Sequence, residues 1–136
     1  MTSRTIPGAA ALLACLALLP ISTLAQEEEK AWVVTMTEKP SQCLSSVAIR
    51  QIDGREKIVS PQGFSLEPGL HTMSGTAKIN TTYCRPIRGY RAQSVEPLEA
   101  EFEAGKVYYV GYDHSSSDRN EWALVIWKVE DRNSDG

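Results

Sequence analysis

The sequence predicts an all-β fold, an antiparallel β-sandwich of about seven short strands closed by one disulfide. Three observations lead there. Apolar and β-branched residues alternate with polar ones over short runs, and Gly, Pro, Asn and Asp punctuate the runs. No segment shows a capped 3.6-residue periodicity. Two cysteines, Cys43 and Cys84, remain once a secretory leader is set aside.

The leader is read over residues 1–25. Arg4 and the free amino group give a positive start, "AALLACLALLPI" an apolar core, and "STLAQ" small residues at Thr23 and Ala25 before a cut ahead of Gln26. Pro20 interrupts the apolar run, which falls short of the roughly 20 residues that a membrane span needs. "LLAC" also resembles a lipoprotein processing site at Cys15. Leu13 is bulky for that motif, and "LALLPI" continues apolar after the cysteine, where a lipoprotein turns polar. The expectation is a periplasmic or secreted product without a transmembrane span, and a lipid anchor at Cys15 is the alternative. Cleavage removes Arg4 and no acid, so the product is one unit more negative than the −3 of the whole chain. A mildly acidic protein lacks the basic stripe of a nucleic-acid binder.

The elements follow in order. "QEEEK", residues 26–30, reads as a disordered arm, and the sandwich domain is placed over 31–130. "AWVVTMT" is a β-branched strand, "KPSQ" breaks it, and "CLSSVAIRQI" resumes with Val47 and Ile49 alternating. Asp53-Gly54 signals a hairpin turn, since both residues tolerate positive φ. "EKIVS" is its return strand, ended by Pro61 and Gly63. In "FSLEPGLHTMSGTAK", Phe64 and Leu66 alternate into Pro68-Gly69, the central pair of a type II turn. Beyond it His71, Met73, Ala77 and Ile79 share one strand face, opposite Thr72, Ser74, Thr76 and Lys78.

Residues 80–97 form the least regular segment. "LEAEFEAGKVYYVGYDH" reads as a hairpin, with Leu98, Ala100 and Phe102 alternating on the way out and Tyr108, Val110 and Tyr112 on the return. "SSSDRN" is a polar tip, and "EWALVIWKVE" is apolar on both faces, which suits a central strand. "DRNSDG", residues 131–136, reads as a disordered tail. This succession of short strands is of the immunoglobulin or transthyretin type.

An even cysteine pair in a secreted chain reads as a disulfide. Closing a loop of this length stabilises by roughly 4 kcal/mol on the chain-entropy model. A CxxC redox centre or a cysteine metal site is disfavoured, because the two cysteines are far apart and show no clustered partners in the sequence. Other chemistry is thin. "DHSSSD", residues 113–118, contains the residue types of a hydrolytic triad but no Gly-x-Ser-x-Gly elbow, and reads as a hydrophilic tip. His71, His114, Met36 and Met73 lack the spacing of a soft-metal site. Asp113, Asp118 and Asn120 lack a calcium loop's closing Glu. No cofactor, metal or catalytic residue is expected. His71, on an apolar strand face, reads as structural.

Binding chemistry concentrates in the Arg/Tyr-rich loop 83–91, with Tyr83, Arg85, Arg88, Tyr90 and Arg91, which suits a carboxylate, a phosphate or a glycan. Trp32, Trp122 and Trp127 either pave a sugar- or peptide-binding face or fill the core, and strand aromatics usually do the latter.

"VAIRQIDG" followed by "FSLEPGLHTM", within residues 47–73, resembles the PEGA-type and related small bacterial envelope domains, and "FEAGKVYYVGY", residues 102–112, resembles the later hairpin of similar proteins. The resemblance implies a small extracytoplasmic β-sandwich without catalytic activity. The chain departs from the pattern in "SPQG" and in the Cys84 loop. The functional expectation is a secreted, non-enzymatic structural or protein-interaction module of the cell envelope. A small-ligand or glycan-binding domain using loop 83–91 is the alternative. The partner is an unidentified envelope protein or glycan.

Overall fold

The computed structural model describes residues 30–79, 84 and 91–132. The leader, most of the N-terminal arm, residues 133–136 of the tail, and Tyr83, Arg85, Arg88 and Tyr90 lie outside the described residues. The chain is all-β, as expected. Ten strands are described: β1 Ala31–Val34, β2 Leu44–Ser45, β3 Val47–Ile52, β4 Arg55–Glu56, β5 Phe64–Leu66, β6 Gly69–Ile79, β7 Arg91–Ser94, β8 Leu98–Phe102, β9 Lys106–Asp113 and β10 Ala123–Asp131.

They form two five-stranded sheets. In the first, the order is β10-β9-β1-β5, and β2 lies along β9 beyond β1. In the second, the order is β4-β3-β6, with β8 and β7 in succession along the far edge of β6. One pair departs from the antiparallel expectation: β1 runs parallel to β9, with Val33 opposite Tyr108. Most of the domain separates these two strands in sequence, so the long crossover that a parallel pair requires is present.

Inward residues of both sheets make one core. Val33, Phe64, Leu66, Tyr108, Val110 and Leu124 from the first sheet meet Ile49, Met73, Ala77, Ile79 and Phe102 from the second. Period-2 alternation places them, as in the predicted run Met73, Ala77, Ile79. The Asp53-Gly54 turn also forms as expected, with φ of 54° and 79° and Ile52 opposite Arg55.

Several strand connections differ from the expectation, for one physical reason: the chain changes sheet where the sequence suggests a local return. The hairpin at 98–114 does not form. β8 pairs with β6, and β9 pairs with β1, β2 and β10. Phe102 and Tyr108 instead meet edge to face in the core, with ring centroids 4.8 Å apart. The Glu67-Pro68 corner likewise carries the chain from β5 in one sheet to β6 in the other, with Gly69 at φ 127°. "CLSSVAIRQI" is two strands, divided at Ser46 between the sheets. The return strand after Asp53-Gly54 is paired only at Arg55–Glu56, because the chain leaves to reach β5.

β10 is an edge strand rather than a central one. Its second apolar face is covered within its own sheet: Trp127 packs on Tyr109, ring centroids 5.4 Å apart, and the Lys39 ammonium sits 4.6 Å from the Trp127 ring. β10 also extends to Asp131, and the Arg132 N–H donates to Gly105 O at 2.8 Å, so ordered backbone continues past residue 130.

Candidate functional site

Cys43 and Cys84 are joined, as predicted, across 41 positions. Pro40 starts a 3-10 turn over Pro40–Gln42, and Cys43 closes it in the left-handed conformation, φ 58° and ψ 40°. This turn sets Cys43 just before β2. Cys84 lies beyond the end of β6, so the bridge ties an edge of the first sheet to the second.

His114 lies directly beside the bridge. Its N–H donates to Cys43 O at 3.0 Å, and one of its ring nitrogens and the two sulfurs all lie within 4.8 Å of one another. The ring is 1% exposed and packed against Tyr112 and Trp122. Its Nε2 is 2.7 Å from Ser45 Oγ, while Nδ1 has no hydrogen-bond partner among the described residues. Burial pushes the imidazole pKa down, so the ring is held neutral. The sequence reading missed this centre by assigning His114 to a hydrophilic tip. The signal was present: Tyr108, Val110, Tyr112 and His114 continue a single inward alternation.

Ser45 and His114 have the spacing of a nucleophile and its base. Both are about 1% exposed, however, and no described carboxylate orients Nδ1, the third part such a pair uses. His71 is also committed to structure. Its Nε2 donates to Glu67 O at 2.6 Å, and its Nδ1 lies 2.6 Å from Asp53 Oδ2. Asp53 Oδ1 accepts the Thr72 N–H at 2.9 Å. That backbone bond first, and His71 second, hold the Asp53 carboxyl below its usual range.

The remaining candidates separate in space. Asp113 Oδ1 accepts from the N–H and hydroxyl of Ser115, and Asp118 Oδ1 accepts from the Asn120 N–H, so both carboxylates cap local turns. Trp122 is buried, with its indole N–H on Ser116 O at 2.8 Å. Trp32 and Trp127 lie on the outer face of the first sheet, but Arg132 and Lys39 occupy their ring faces at 5.1 and 4.6 Å. A cation therefore already stacks on each of these two rings. Of the Arg/Tyr loop, only the backbone of Arg91 is described, opposite Ile79 at the start of β7.

A groove of about 540 Å³ opens over β3 and β6. Met36, Val47, Ala48 and Pro61 give it an apolar floor, Ser46 and Thr76 add hydroxyls, and Arg50 and Lys78 stand at its rim. Met36 is 49% exposed. Neither rim cation has an ion-pair partner among the described residues. No helix among the described residues is long and apolar enough to cross a membrane. No family model, curated protein or solved structure matches this chain.

Proposed function

We propose that this chain is a secreted, non-enzymatic interaction module of the bacterial cell envelope that docks an extended, acidic segment of a partner protein in the groove over β3 and β6. The observation that carries this reading is the pairing of an apolar floor with two rim cations that have no described counter-charge. Apolar side chains of an extended segment would fill the floor, and its carboxylates would meet Arg50 and Lys78, which set orientation and association rate. The disulfide supports an oxidising compartment. The PEGA-type resemblance of residues 47–73 points to the same setting. The sealed Ser45–His114 pair offers no open nucleophile.

A photoreactive residue placed at Met36 tests the reading in intact envelopes, with a second placed at Glu99 as the control. A discrete adduct from position 36 alone, lost in the Arg50→Glu, Lys78→Glu double variant and weakened by salt, is the expected result. Identical adducts from both positions, or adducts indifferent to charge reversal in a variant of unchanged thermal stability, would exclude the groove as the docking site.

A further inference from the structure

We propose that reduction of the Cys43–Cys84 bridge turns its surroundings into a Cys₂His site for a soft d¹⁰ cation, zinc(II) or copper(I), with the two sulfurs and a His114 ring nitrogen as ligands. This inference is independent of the groove. Thiolate and imidazole are the donors such ions select, and a Cys₂His set with an open position is an established zinc arrangement.

The donors are already gathered. A His114 ring nitrogen and both sulfurs lie within 4.8 Å of one another. Metal–sulfur bonds of about 2.3 Å in a tetrahedral site place ligand atoms about 3.8 Å apart. The cleaved sulfurs therefore need to separate by only about 2 Å from the usual disulfide length. The histidine is also prepared. It is 1% exposed, and Nδ1 is a buried polar atom with no described partner. A buried acceptor without a partner carries a cost that a metal bond would remove. Ser45 Oγ, 2.7 Å from Nε2, supplies the outer contact that a metal-ligating imidazole ordinarily makes through its other nitrogen. With Nε2–H donating to Ser45, the Nδ1 lone pair is free. Cys43 is half-buried, which gives reductant and ion a way in.

The chemistry balances with a dithiol as reductant. Two electrons and two protons pass from the dithiol to the bridge, giving two protein thiols and one small-molecule disulfide. Each thiol then releases its proton to water as its sulfur binds the ion. In the oxidised protein both sulfurs are spent on each other, so the site exists only after reduction.

Cobalt(II) titration under argon provides the test, because thiolate-to-cobalt charge transfer reports sulfur ligation directly. The purified protein is reduced with a phosphine, freed of it, and titrated with cobalt. Zinc(II), and copper(I) supplied from a chromogenic chelator, are then added as competitors. One equivalent should bind to the reduced protein and none to the oxidised protein. Cys84→Ser should abolish the band, and His114→Gln should weaken binding by more than about tenfold. The competitor that displaces cobalt at stoichiometric concentration identifies the preferred ion. Absence of the band in the reduced protein, an equal band in the oxidised protein, or unchanged affinity in His114→Gln would each overturn the proposal. Circular dichroism is recorded throughout, and a reduced chain that unfolds and that neither ion refolds would overturn it as well.

Discussion

At the scale of single residues, a buried polar group is costly to strip of its partner, and Ser45 shows how much depends on one contact. Its Oγ holds His114 Nε2 inside the core. Ser45→Ala leaves that nitrogen buried without its partner, and the expected loss is about 1–3 kcal/mol in a urea denaturation curve. A loss below about 0.5 kcal/mol would mean that water or a neighbour takes over the bond. Asp53 gives a prediction about pH. Its folded pKa lies below the unfolded value, so its contribution is complete above the ordinary carboxylate pKa of about 3.9 and declines as pH falls through the folded value. Asp53→Asn keeps an acceptor for the Thr72 N–H and tolerates the positive φ, but carries no charge toward His71. The stability gap between the two proteins, read from melting temperatures, should be widest near neutrality and close on acidification below about pH 4. A gap that stays constant with pH would assign the effect to shape rather than charge. Both sites were partly legible. His71 was read as structural from its place on an apolar strand face, and its double engagement agrees. His114 was hidden because its neighbours Asp113 and Ser115 are polar, and only the alternation running from Tyr108 reveals it.

At the scale of elements, strand positions were legible because period-2 alternation is a local property, whereas partners were not, because both sheets use the same period. Leu98–Phe102 and Lys106–Asp113 each read correctly as strands, yet nothing in either run says that the chain changes sheet between them. The eleven residues of β6 show what does set the pairing. At Gly75, an added Cβ would sit 2.0 Å from Ala48 O, beside the register shift between Ile49 and Gln51. The Gly75 O accepts the Val95 N–H at 3.1 Å, on the edge of β6 that β8 and β7 share. Glycine there permits β3 to approach closely while β6 serves two partners on its other edge. Gly75→Ala should therefore cost about 2 kcal/mol or more, with faster amide exchange along β3 than along β9. Uniform exchange across both sheets would indicate that the backbone absorbs the methyl group without loosening the pair.

At the scale of the whole molecule, two sheets share one core, and the chain passes between them at Ser46, over residues 57–63, at Glu67-Pro68 and at Glu103–Gly105. The disulfide adds a covalent tie where the polypeptide makes none, from the turn before β2 to the segment after β6, and encloses five strands in a loop of 41 positions. The Cys43→Ser, Cys84→Ser double variant frees that loop in the unfolded chain. The expected loss is roughly 4 kcal/mol, against a total stability of about 5–15 kcal/mol for a domain of this kind. The variant should then melt well below the wild type while retaining the far-ultraviolet signature of strands at low temperature, since the core of Val33, Val110, Met73 and Phe102 does not involve the bridge. If the loss were near zero, the closed loop would have little entropic value, and the bridge would matter chiefly for what it holds beside His114. If instead the double variant were unfolded at all temperatures, the staple would be a condition of folding. Reduction would then dismantle the domain rather than open a site within it.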